Sequence, residues 1–186
     1  TTNTGNAVVK RNSNPLSRLD YTLWSSPVAN QNLLAFSPLT SNTSVVTTPI
    51  TTVNRFYTYD SATNFYVAIP DPAFATTVFA KGTGYLIRMP NTAVAAPGTE
   101  TFNGVFTGVL NNGDINLTGL TAGQYVAVGN PYPSAISADS FIDANSTGAG
   151  SGTLYFWRKT NNLNQSTTPT TSYATYTKAG PVGLPA

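Results

Sequence analysis

The 186 residues contain no cysteine, which excludes disulfides and every thiolate metal site. They contain no histidine either. The commonest general base, the commonest zinc ligand and the side chain that titrates nearest neutrality are therefore all missing. Charge is scarce: 9% of residues are Asp, Glu, Lys or Arg, against about 25% in an average soluble domain. The net charge of +2 is carried by scattered cations, with no cluster beyond Lys10-Arg11 and Arg158-Lys159. Tracking a phosphate backbone needs a basic stripe, so no nucleic-acid partner is expected. No apolar run approaches the ~18 residues of a membrane span, and no membrane insertion is expected. The chain opens on Thr1 without a leader, as a processed or partial chain would.

What is present is β-forming and turn-forming. Thr, Asn, Ser and Gly fill the surface positions, and a chain of this length buries about 70% of its unfolded surface without staples. Ala7 to Arg11 and Leu19 to Trp24 read as strands, and Ser25-Ser26-Pro27 ends the second. Asn30 to Phe36 carries Leu33, Leu34 and Phe36 on a helical turn, and Thr40 to Thr52 is a Thr/Ser-rich connection. Arg55 to Tyr59 and Asn64 to Ile69 are aromatic and β-branched runs joined by Asp60-Ser61-Ala62-Thr63, which predicts a hairpin. Thr77 to Ala80 and Gly84 to Met89 are two further short strands. From Thr99 to Leu110, residues 102, 104, 106, 108 and 110 share one face of a strand. The glycines among them point to bulges or close packing on a second sheet.

After the turn Asn111 to Asp114 and a short strand at Ile115 to Leu117 comes the stretch the chain is organised around, Tyr125 to Asn145. Tyr125, Val126 and Val128 form a strand, and Pro131 and Pro133 stiffen the turn after it. Ser137 then caps a short helix with Asp139 in its first turn, and Ile136 and Phe141 are placed as a hydrophobic staple. Thr153 to Lys159 and Ser172 to Thr177 are the last strands.

The order repeats. Tyr21, a proline turn, Phe36 and an aromatic pair of strands recur as Tyr125, a proline turn, Phe141 and a second aromatic pair, at an offset of 104 residues at the first strand and 99 at the aromatic pair. The first copy closes with the strand at 84 to 89, whose counterpart is expected around residues 185 to 200. The expectation is a second unit that lacks its closing strand and carries an open groove and an unpaired sheet edge.

Several phrases resemble a family of large secreted and surface proteins of Bacteroidetes bacteria exported by type IX secretion. They are Arg18 to Tyr21 leading to Trp24-Ser25-Ser26-Pro27-Val28, Gly82 to Ile87, Gly104 to Phe106 with Asn111-Asn112-Gly113, Gly129-Asn130-Pro131-Tyr132-Pro133-Ser134, and Gly152 to Trp157. The resemblance covers nearly the whole chain. It implies export, surface display and β-rich modules, with no catalytic residues to carry over, and such proteins usually continue into a glycine- and aromatic-rich closing strand.

Asp60-Ser61-Ala62 is similar to the O-glycosylation pattern of these bacteria and falls at a hairpin tip, which makes Ser61 the candidate acceptor against the plain reading as a turn. Asp139, Asp143 and Asn145, with Asp114, are the only oxygen-rich groupings, and capping and turn roles explain them better than Ca²⁺, which needs 6 to 8 converging oxygens. Trp24, Tyr57, Tyr59, Tyr66, Tyr155, Trp157, Tyr173 and Tyr176 are read first as core lining. Trp157, Tyr155 and Trp24 are the candidates if the aromatics instead bind sugar.

The expected fold is all-β: two related β-sandwich-like units, residues 1–98 and 99–186, with one short helix near 137–145. The expected role is a non-enzymatic structural module of an extracellular or cell-surface bacterial protein, without a cofactor or metal. Its expected partners are other copies of itself or adjacent modules of a larger surface protein. In the sharper form it is an assembly subunit completed by strand donation, with Ala7, Val8 and Val9 as the donor's anchors. The alternative is a carbohydrate-binding or adhesion module for surface glycans.

Overall fold

The computed structural model describes residues 3–40, 55–70, 73–146, 152–158 and 173–182. The Thr/Ser-rich connection after Thr40 lies almost wholly outside them. The fold is all-β. Nine strands form three antiparallel sheets, and α3 (Ala138–Asn145) is the one helix longer than a single turn among the described residues.

β1 (Ala7–Asn12) pairs with β6 (Asn103–Gly108), from Ala7 opposite Gly108 to Asn12 opposite Asn103. Val9 faces Phe106 across this pair and packs on the core. Ala7, Val8 and Val9 are therefore not a free donor arm. Their backbone groups are already paired with β6, and they would have to leave it to serve a neighbour. The pairing also crosses the sequence division at 98, joining the start of one unit to the start of the other.

The second sheet is four-stranded, with β2 (Tyr21–Trp24), β3 (Phe56–Asp60), β4 (Phe65–Ala68) and β5 (Tyr85–Arg88) in the order β2-β5-β3-β4. β5 sits in the middle because it is the most apolar of the four: Tyr85, Leu86 and Ile87 are all buried. The β3–β4 hairpin closes as its sequence dictates. Asp60 accepts from Ala62 N at 3.0 Å and from Thr63 Oγ1 at 2.7 Å, and Asn64 takes φ +60°, which Asn tolerates.

Between these sheets lies the core of Trp24, Val28, Leu33, Phe36, Phe56, Ile69, Phe79, Tyr85, Ile87 and Phe106. Its hub is Phe36, delivered by α1 (Leu33–Phe36), whose cap is Asn32 accepting from Ala35 N at 2.8 Å. The Phe36 ring stacks on Phe106 at 4.5 Å and meets Trp24, Phe79 and Phe102 edge-on at 5.1–5.5 Å. The close packing expected of the β6 glycines is what lets it in: a Cβ on Gly104 would sit 2.9 Å from the Phe36 ring.

Three expected strands are absent. Before Thr77 the chain forms α2 (Ala73–Thr76), and only Val78 bridges, to Asn32. The Asn32 amide takes the carbonyls of Ala75 and Thr77, which holds the segment as a loop against α1. Residues 115–117 are not a strand, and of 125–128 only Val128 bridges, to Thr83. The third sheet is β7 (Thr153–Trp157), β8 (Tyr173–Thr177) and β9 (Gly180–Val182), in that order. β9 pairs antiparallel with β8, from Thr175 opposite Val182 to Thr177 opposite Gly180.

Candidate functional site

The two proline turns that open the repeats meet each other. In the first, Ser26 Oγ accepts from Val28 N at 3.1 Å; in the second, Asn130 Oδ1 accepts from Tyr132 N at 2.9 Å. Residues 26 and 130 are repeat equivalents making the same turn with different side chains. Arg11 bridges the pair. Its Nη1 donates to Ser25 O at 3.2 Å and Asn130 O at 3.3 Å, and its Nη2 donates to Tyr132 O. Asn111 does the same from β6's end, donating through Nδ2 to Ser26 O at 3.2 Å and Pro131 O at 3.1 Å. Burial holds the Arg11 guanidinium below its ordinary pKa.

From this junction a band of aromatic rings runs over the face of the four-stranded sheet that points away from the core. Strand register puts Tyr21, Arg88, Leu86 and Tyr57 on that face, opposite Trp24, Ile87 and Phe56. Tyr21 meets Tyr57 edge-on at 5.8 Å, and Tyr59 meets Tyr66 at 5.3 Å. Trp157 crosses to this face from β7. Its Nε1 donates to Tyr21 O at 2.9 Å, and its ring lies 6.3 Å from Tyr66 and 5.3 Å from Tyr173. Burial first, then Tyr57, pushes the Tyr21 phenol up to about 12. Burial first, then the Tyr173 hydroxyl, raises Tyr66 further. These phenols are neutral hydrogen-bonding groups at any physiological pH.

The band contains two sets of similar ring contacts. Tyr59 on β3 faces Tyr66 on β4, and Trp157 on β7 faces Tyr173 on β8 in the same register, both as edge-on pairs at 5.3 Å. Tyr21 touches Tyr57, and Tyr125 touches Tyr155 edge-on at 5.6 Å. The offset is thus 98 residues between β3 and β7 and 107 between β4 and β8, with Tyr155 matching Tyr57 and not Phe56 as the sequence offset of 99 implies.

One member is different. In the first copy β5 lies between the strands carrying Tyr21 and Tyr57. In the second, no strand lies between residues 125–128 and β7 among the described residues, and β7 pairs only with β8. The apolar surface that such a strand would cover is open: Tyr125, Val126, Val128, Tyr155 and Phe156 are 39–55% exposed. Among the described residues, Ile142 is the only buried core hydrophobe after Phe106.

The residues singled out from sequence are scattered. Trp24 is 7% exposed and enclosed by Phe36, Phe102 and Phe106, so it offers no face to a sugar. Tyr155 is half exposed beside the open strand position, and Trp157 is in the band. Ser61 lies at the tip of the β3–β4 hairpin beside the exposed Ala62. Asp139 accepts from the Tyr176 hydroxyl at 2.9 Å and Asp143 pairs with Lys178 at 2.6 Å, so both tie α3 to the third sheet. Among the described residues no group of acids is arranged to hold a metal ion. A shallow depression of about 550 Å³ at Asn30, Gln31, Asn32, Phe36 and Phe102 has its amides engaged with backbone: Gln31 accepts from Thr107 N at 2.9 Å, and Asn32 caps α1. Sequence reasoning missed Arg11 and Asn111. Their only signal is a polar residue on a strand and another in a turn, which are common.

A family described as a domain of unknown function (DUF8693) matches residues 1–180, and the chain belongs to that family. No curated protein and no solved structure matches it.

Proposed function

We propose that this chain is a non-enzymatic structural module of an extracellular or cell-surface bacterial protein, completed by a strand from a neighbouring module or chain. The observation that carries the reading is the pair of similar ring contacts, Tyr21–Tyr57 with β5 between their strands and Tyr125–Tyr155 with no strand between them among the described residues. A sheet edge with apolar flanks is a template for strand addition, in which main-chain hydrogen bonds give affinity and alternate side chains give register. β5 defines the chemistry of the guest: a short strand of the Gly-Tyr-Leu-Ile-Arg-Met kind, apolar on both faces. The extracellular setting is supported by the low charge, the Thr- and Asn-rich surface and the resemblance to type IX cargo. The same setting supports Ser61 as a glycan acceptor at its hairpin tip.

The test is a soluble peptide carrying residues 83–89 between charged flanks, added to the chain and followed by hydrogen exchange. Protection of the β7 amides, absent with a scrambled peptide, is the expected result. Unchanged exchange in β7, or protection confined to β1 and β6, would refute strand completion at this edge.

A further inference from the structure

Oxidising equivalents that reach this chain find few of the usual sinks. It has no cysteine and no histidine, and its single methionine, Met89, is buried. Trp24 is enclosed in the core, and Trp157 is half-buried with Nε1 donating to Tyr21 O. The ten tyrosines are what remains. Among the described residues, Tyr125 and Tyr155 are the one touching pair of tyrosines in which both rings are exposed. Their centroids lie 5.6 Å apart, edge-on. The Tyr125 phenol is the main cause that raises the Tyr155 phenol, so the hydroxyl ends of the two rings adjoin. The other pairs are withdrawn: Tyr21 and Tyr57 are half-buried, the Tyr59 hydroxyl donates to Asn64 Oδ1, and Tyr66, whose hydroxyl is 3.5 Å from that of Tyr173, is half-buried.

Both backbones beneath the exposed pair are fixed. Gly84 N donates to Ala127 O and Gly129 N donates to Gly82 O, each at 2.9 Å, and Tyr155 lies mid-strand on β7 opposite Thr175 of β8. The exposed rings above them turn quickly between rotamers. We propose that Tyr125 and Tyr155 are a site of oxidative cross-linking, joined as dityrosine when the chain meets a peroxide and a haem peroxidase. Each phenol loses one electron and its hydroxyl proton, which leaves two phenoxyl radicals with spin on the carbons ortho to oxygen. A C–C bond forms between one ortho carbon of each ring. Both rings then regain aromaticity as the ortho hydrogens leave as protons and the oxygens are reprotonated. The net loss is two electrons and two protons, which with two further protons reduce one hydrogen peroxide to two waters once the two phenol protons are counted back. In a chain without cysteine the bond does what a disulfide does elsewhere: it ties the segment anchored at residues 82–84 to the third sheet and closes the loop that carries α3. The coupling needs no guest strand, so this proposal stands if strand completion fails.

The test treats the dilute full chain with hydrogen peroxide and a haem peroxidase and reads dityrosine fluorescence, intact mass and a proteolytic map. The expected product is a monomer lighter by two hydrogens, with residues 125 and 155 in one linked peptide pair. Tyr125→Phe and Tyr155→Phe should each lose most of the monomer's fluorescence, and Tyr59→Phe should keep it. The linked monomer should unfold at a higher urea concentration than Tyr155→Phe treated in the same way. No dityrosine, dityrosine only between separate chains, or a linkage mapped to Tyr66 and Tyr173 would overturn the proposal. An unchanged urea midpoint in the linked monomer would overturn its role as a staple.

Discussion

Gly129 and Ser25 are equivalent residues of the two repeats, 104 positions apart, and they touch: a Cβ on Gly129 would lie 2.2 Å from Ser25 Cβ. The second copy carries glycine where the first carries serine because the two turns approach too closely for two side chains. Gly129→Ala should lower stability by about 1–3 kcal/mol, the usual cost of forcing a methyl group into filled space. In the double variant with Ser25→Gly the nearest remaining atom is the Cα of residue 25, at 3.5 Å. Urea melts of the four proteins should show the second substitution recovering most of the loss, and simple additivity would contradict the contact.

Arg11 holds three carbonyls drawn from both turns. Arg11→Ala should cost about 2 kcal/mol, the scale of one charge-assisted hydrogen bond plus desolvated carbonyls left unpaired. Arg11→Lys should recover less than half of this, since an ammonium cannot present a fork to three acceptors. A lysine variant as stable as the parent in thermal and urea melts would mean that charge alone matters here.

The aromatic band should make the fold sensitive to alkali. The Tyr21 phenol is raised from 10 to about 12, and Tyr66 is raised as well. The folded chain keeps protons that the unfolded chain loses above pH 10, so this part of the stability is complete below pH 10 and falls away as pH rises towards 12. Denaturant melts at pH 9, 10 and 11 should show the decline, and absorbance at 295 nm should show at least two phenols titrating late. Tyr21→Phe should flatten the pH dependence, and an unchanged slope would contradict the assignment.

Phenylalanines on the two sides of the molecule should behave differently. Phe106 is fully buried against Phe36, and Phe106→Ala should cost about 3–5 kcal/mol. Phe156 is half exposed beside the open strand position, and Phe156→Ala should change stability by less than about 0.5 kcal/mol in the isolated chain. A large loss at Phe156 would mean that the surface is already covered.

Local chemistry was legible in the sequence. The β3–β4 hairpin is written in Asp60 to Asn64, whose side chains close the turn without outside help. The cap of α3 is written in Ser137, which accepts from Ser140 N, and α1 is carried by the apolar residues of Asn30 to Phe36. The alternation of β6 put Phe106 on the core face before any partner was known. The strands expected at 77–80, 115–117 and 125–128 failed because a strand is stable only with a partner. Their apolar residues say nothing about whether one arrives.

By itself the sequence determined an all-β fold and its short helix, because turns, caps and alternation act between residues a few positions apart. The tertiary structure decided that Ala7 to Val9 pair inside the chain, that Trp24 is core, and that Tyr57 and Tyr155 hold matching places. It also decided that Arg55 and Arg88 meet at the side chain of Asn91. Each of these rests on residues tens of positions apart, brought together only when Phe36, Trp24 and Phe106 close the core and fix which strands lie side by side.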